Sequence, residues 1–160
     1  MVSANLLEAT VLAGHLPEAI TEGNAIVARL RSTPYTELLG YALGLVSCTL
    51  LFQRAPEEAL PLLREAAPIL REAGLIFWLY DKLALRLALN GRQSDAAVAA
   101  GFAFAVLEKS GRSGEPLAVR VREMLCSELR HAMSDNVMKQ LIESGKYLTE
   151  ERAVSLALDY

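Results

Sequence analysis

Two cysteines, one tryptophan and two histidines in 160 residues leave little material for the chemistries that a sequence most readily shows. Cys48 and Cys126 lie far apart, and neither has a second cysteine or a histidine at metal-ligand spacing, so no metal site is expected. Both read as small core residues, and two unpaired thiols suit a reducing compartment, by default the cytoplasm. A chain of this length removes roughly 70% of its unfolded surface from water and needs no disulfide or metal to fold. An excess of positive charge is also missing. Sixteen basic residues against nineteen acidic ones give a net charge of -3, which supplies no field for phosphate backbones and argues against direct nucleic-acid contact. No basic stretch precedes an apolar segment at the start of the chain, so no secretory leader is expected.

Long apolar runs are scarce as well. The uncharged stretch between Glu37 and Arg54 has sixteen residues, short of the ~20 that span a bilayer, and so reads as a buried helix rather than a membrane segment. Gly40 and Gly44 within it would let a second helix approach closely. Nucleotide chemistry lacks its loop, since Gly111-Arg112-Ser113-Gly114 is too short and has no lysine. Catalysis lacks its partners: His15 and His131 stand at helix boundaries, and no Ser, His and acid grouping follows a hydrolase pattern. The chain is therefore expected to be no enzyme and to carry no cofactor.

What is present is helix. Apolar residues make up 52% of the chain and aromatics only 6%, so Leu and Ala build the core. Leu6, Leu7, Val11 and Leu12 mark a first helix stopped at Gly14, and Pro17 opens a second through Ile20, Ile26, Val27 and Leu30. Thr33 and Pro34 open a third to about Gln53, and Pro56 with Glu57 and Glu58 opens a fourth to Ala73, with Pro61 and Pro68 inside it. Leu75 to Asn90 reads as a fifth helix, and Ser94 with Asp95 caps a sixth to Lys109. After the linker from Gly111 to Gly114, Pro116 starts a seventh to Ala132. Ser134 caps an eighth ending at Gly145, and Thr149 caps a short ninth. No alternating strand pattern appears.

Successive second helices align by their opening turns. Glu18-Ala19-Ile20, Glu58-Ala59-Leu60 and Ala96-Ala97-Val98 correspond, which makes a helix-pair repeat. One pair cannot bury its apolar face, so pairs stack. The expected fold is an all-α, tetratricopeptide-like α-solenoid of antiparallel helix pairs with about nine helices. One helical-repeat domain would cover 1–160, with three pairs over 1–110 and a closing three-helix unit over 115–160. Ala19, Ala59 and Ala97 would let each second helix pack close to the first.

The long helix, short turn and Glu-Ala-apolar second helix resemble the tetratricopeptide family. The segment Leu129-Arg130-His131-Ala132-Met133, then Val137-Met138 to Leu141, then Glu143-Ser144-Gly145 through Leu148-Thr149-Glu150-Glu151 to Ala153–Leu158, is more specific. It resembles the C-terminal end of large bacterial regulators that join a winged-helix DNA-binding domain, a nucleotide-binding ATPase domain and a tetratricopeptide-like tail. Leu87-Ala88-Leu89-Asn90-Gly91-Arg92 with Asp95-Ala96-Ala97 and Gly101 resembles the helix-turn-helix that precedes the linker there. Met133-Ser134-Asp135 departs from that pattern, standing where a Leu-Gly-type turn is usual. The resemblance implies a non-catalytic C-terminal domain of a transcriptional regulator that senses a signal or binds a protein segment or a small effector in its groove. A free-standing adaptor or homodimerisation module is the alternative.

Phe77, Trp78 and Tyr80, with Tyr35 and Tyr41 one pair earlier, fall on expected first helices, which line the concave face of such stacks. Tyr41, Trp78 and Arg86 are the candidate groove residues. Arg112, Arg120, Arg122 and Arg130 are interspersed with Glu115, Glu123 and Glu128 and read as a solvated face. The register can be tested at its central alanine. Ala59→Leu should overpack the contact and cost roughly 1–3 kcal/mol in a denaturant titration; an unchanged midpoint contradicts the register.

Overall fold

The structure, a computed structural model, describes residues 2–158. Among them are nine α-helices and no strand, packed in neighbouring pairs, so the chain adopts the all-α helical-repeat class expected of it. The helices are α1 (Val2–Leu12), α2 (Leu16–Leu30), α3 (Thr36–Phe52), α4 (Pro56–Glu72), α5 (Tyr80–Leu89), α6 (Gln93–Lys109), α7 (Pro116–Ala132), α8 (Asp135–Gly145) and α9 (Glu150–Leu158). They divide into two compact units, Met1–Trp78 and Leu79–Tyr160. The division does not fall at the Gly111–Gly114 linker, because α5 and α6, the expected third pair, pack with the closing helices α7, α8 and α9.

In the first unit α3 is the central element, packed against α1, α2 and α4. Its residues from Ala42 to Leu51 are buried without a break, which explains why the helix carries no charge beyond Glu37 in its first turn. By contrast α2 and α4 bury one face each. Ala19, Gly23, Ile26, Val27 and Leu30 do so in α2, and Ala59, Leu63, Ala66 and Leu70 recur at three- and four-residue intervals in α4. Pro61 and Pro68 do not interrupt α4. Both are exposed, as are Glu57 and Arg64, the residues four back to whose carbonyls a proline cannot donate, so the missing helical bonds fall on the solvent side.

The pairs α1/α2, α3/α4 and α5/α6 close with the same turn. Gly14 (φ 84°), Arg54 (φ 62°) and Gly91 (φ 79°) are left-handed. In each turn this residue donates to the carbonyl three back, and the next residue to the carbonyl five back: His15 to Thr10 (3.2 Å), Ala55 to Leu50 (2.9 Å) and Arg92 to Leu87 (3.0 Å). Five residues after each left-handed position stands a fully buried alanine, Ala19, Ala59 or Ala96. The turns therefore correct the third register from Ala97 to Ala96.

Three helix starts differ from expectation, each because a side chain or a backbone group is taken elsewhere. Thr33 does not cap α3: its hydroxyl donates to the Leu30 carbonyl (2.8 Å) at the end of α2, and α3 opens at Thr36. Ser94 and Asp95 do not cap α6, which opens before them at Gln93, and the Asp95 carboxylate accepts instead from Arg92 Nε (2.9 Å). The stretch Leu75–Asn90 is not one helix. Trp78 N–H bonds to the Leu75 carbonyl three residues back, Ile76–Trp78 form a 3₁₀ turn, and α5 begins only at Tyr80. Consecutive Ile, Phe and Trp are weak helix formers, which suits such a break. Ser134 and Thr149 cap as expected, accepting from Val137 N–H (3.4 Å) and Arg152 N–H (3.2 Å).

In the second unit α6 meets α8 through glycine. A Cβ on Gly101 would fall on the Ile142 carbonyl and lie 3.0 Å from the Gly145 Cα, and one on Gly145 would fall on the Val98 carbonyl. The obstacle on each side is backbone, which cannot rotate away. Alanine in a helix is favoured over glycine by ~1 kcal/mol, and overpacking outweighs that gain. Gly101→Ala should therefore destabilise the fold by about 2 kcal/mol or more. Gly114→Ala, where a Cβ meets nothing within 4 Å, should change stability by under about 0.5 kcal/mol. Equal unfolding midpoints for the two variants would contradict the packing.

Candidate functional site

The N-terminal end of α3 opens a cleft of about 710 Å³ in the first unit. Ala4 and Asn5 of α1 form one side. Pro34 to Leu38, with Tyr41 one turn further along α3, form the second. Leu75 and Trp78 close the third, from the segment after α4. The local folding that creates it is the late start of α3: because Thr33 is held by the end of α2, Pro34 and Tyr35 stand outside the helix and Tyr35 is 65% exposed at the mouth.

Two aromatic rings form the back of the cleft. Tyr41 and Trp78 meet edge to face with centroids 4.7 Å apart and planes at 60°. Phe77 supports Trp78 from another direction at 5.6 Å and 70°. The Tyr41 hydroxyl donates to Glu8 Oε2 of α1 at 2.6 Å, a short charge-assisted bond that holds α1 to α3 at the cleft. Among the described lining residues Glu37 alone is charged, and none is Lys, Arg or His. The arrangement can enclose a small, largely apolar ligand and present one carboxylate to it; its volume lies within the range of ordinary ligand sites.

The structure brings Tyr41 and Trp78 together but places Arg86 elsewhere. Arg86 is 1% exposed in the core of the second unit, where Nη1 donates to the Ala157 carbonyl of α9 at 3.0 Å. That carbonyl lies in the last turn of its helix, where no intrahelical donor is available, so Arg86 fastens the closing helix rather than lining a groove. Asp81 and Lys82 are buried nearby in sequence, with Lys82 Nζ 3.0 Å from Asp81 Oδ1. Trp78 reaches the cleft from a 3₁₀ turn instead of a first helix, and Tyr80 is buried against Phe102, ring to ring at 4.9 Å. Glu8 and Asn5 were not legible as site residues, because their only signal is a position on a helix expected to serve the core.

Other reactive groups are accounted for by packing. Cys48 is buried, and burial pushes the Cys126 thiol up against the opposing pull of Arg130 and Arg122, which makes it a poor nucleophile. His131 Nδ1 donates to the Ser127 carbonyl at 2.7 Å. Arg112 pairs with Glu115 at 2.7 Å, and the Arg122 guanidinium lies 5.0 Å over the Phe104 ring. Among the described residues no group of three or more His, Cys, Asp or Glu is placed to hold a metal ion, and no helix is long and apolar enough to cross a membrane. Comparison of the chain with protein-family models, with curated proteins and with solved structures finds no match.

Proposed function

We propose that this chain is a non-catalytic binding domain, the C-terminal signal-sensing part of a bacterial transcriptional regulator, and that its cleft receives a small effector. The observation that carries the binding reading is the cleft itself: an aromatic-backed space at the open end of a buried helix, with a ligand-sized volume and an exposed tyrosine at its mouth. The Tyr41 hydroxyl is bonded to Glu8, and the buried charges Asp81, Lys82 and Arg86 sit in the core of the second unit. These placements favour holding a molecule over transforming one.

The regulator reading rests on the tail from Leu129 to Leu158, and two features of that segment have a physical basis that such a family would share. Gly145 sits where only a glycine fits against Val98, and Thr149 caps α9. The coding sequence upstream tests this part. A winged-helix pattern followed by a Gly-rich loop ending in Lys-Ser or Lys-Thr is expected there, and a complete gene without either contradicts it.

For the binding part, Tyr35 offers a variant that leaves the core alone. In a panel of small metabolites, some compounds should raise the melting temperature and alter the emission of Trp78. Tyr35→Ala should abolish both responses while shifting the unliganded stability by under about 0.5 kcal/mol, as for other exposed positions. Responses that survive Tyr35→Ala unchanged would put the binding elsewhere and contradict the reading.

A further inference from the structure

We infer that the cleft selects a small organic cation, an alkylammonium group carrying apolar substituents. This rests on the cleft being the binding site proposed above and specifies its ligand. Aromatic faces attract cations through the ring quadrupole, most strongly for indole, and the effect grows as the site is withdrawn from water. Tyr41 and Trp78 both line the cleft, their planes inclined at 60°, and Tyr35 adds a third ring at the mouth. The Glu8 carboxylate, accepting from the Tyr41 hydroxyl at 2.6 Å, draws the phenol proton toward itself and leaves the ring more electron-rich.

The charge of the lining points the same way. Among the described lining residues Glu37 supplies a carboxylate and none supplies a positive charge. An anionic ligand would face Glu37, with Glu8 bonded to Tyr41, and find no counter-charge among those residues. A neutral ligand would use the aromatic rings and make nothing of the Glu37 carboxylate, which sits in the first turn of α3 at the cleft. An ammonium ion bearing methyl or larger groups uses both, because its charge is spread over apolar surface and it gives up little hydration on entering. The volume of about 710 Å³ suits a free small molecule.

The chain's single tryptophan lies in the cleft, so its emission reports binding there without a label. Three probes are titrated at constant ionic strength: choline, its neutral isostere with carbon in place of the quaternary nitrogen, and the tert-butylacetate anion. Choline should shift the Trp78 emission saturably and bind about tenfold more tightly than the isostere, with the anion inert. Glu37→Gln should weaken choline about threefold and leave the isostere unchanged, in a protein with wild-type far-UV circular dichroism. If the isostere binds as tightly as choline and both are lost in Tyr35→Ala, the cation inference is overturned while the cleft remains the binding site. A trimethyllysine peptide that binds more tightly than choline overturns the small-ligand assignment. No Trp78 response to any probe overturns the cation inference, and the metabolite panel with Tyr35→Ala then decides the binding reading separately.

Discussion

Helices in both units lie against one another through positions that have almost no side chain, and the remaining architecture depends on that closeness. In the first unit, a Cβ on Gly40 of α3 would lie 2.9 Å from Leu70 and 3.0 Å from Ile69 of α4, and one on Gly23 of α2 would collide with Val46 of α3. In the second, Gly101 and Gly145 bring two backbones together. Interiors at this packing density transmit the loss or gain of a single methylene to their neighbours. Packed against α1, α2 and α4, α3 leaves no room for charge after its first turn, and its composition beyond Glu37 follows.

The cleft is a product of the same contact. Tyr41 follows Gly40 directly, and Trp78 follows α4 by a short 3₁₀ turn. Where Gly40 lets α3 rest on Leu70, the tyrosine and indole rings meet edge to face with centroids 4.7 Å apart. A wider separation of α3 and α4 would part the two rings and open the cleft toward solvent. Glu8 fixes the remaining side by bonding the Tyr41 hydroxyl from α1. The candidate site is inherited from packing: the two rings meet because the helices touch.

Helix number and order were legible in the sequence because glycine, proline and the apolar period act locally, as Gly14, Pro17, Pro56, Gly91 and Pro116 illustrate. Competition between local partners was not. Thr33 could cap forward or bond backward, and it bonds backward; Asp95 could cap α6 or pair with Arg92, and it pairs. Arg54 takes the left-handed position that Gly14 and Gly91 occupy, and no residue preference foretells an arginine there. Tyr41 and Trp78 share a place on expected first helices; Trp78 stands in a 3₁₀ turn instead, and the two rings meet all the same. Arg86 was misplaced, since its bond to the Ala157 carbonyl joins residues 71 apart in the chain and depends on where α9 packs. The reciprocal fit of Gly101 and Gly145, and the bond from Tyr41 to Glu8, are likewise contacts between helices distant in sequence.

The central claim is that the α3–α4 approach at Gly40 positions the Tyr41 and Trp78 rings of the cleft. The indole N–H resonance of the single tryptophan tests it in the Gly40→Val variant. Added methyl groups should force α3 from Leu70, lower the melting temperature and move the Trp78 indole resonance together. A variant that loses stability while its indole resonance stays at the wild-type position would contradict the account.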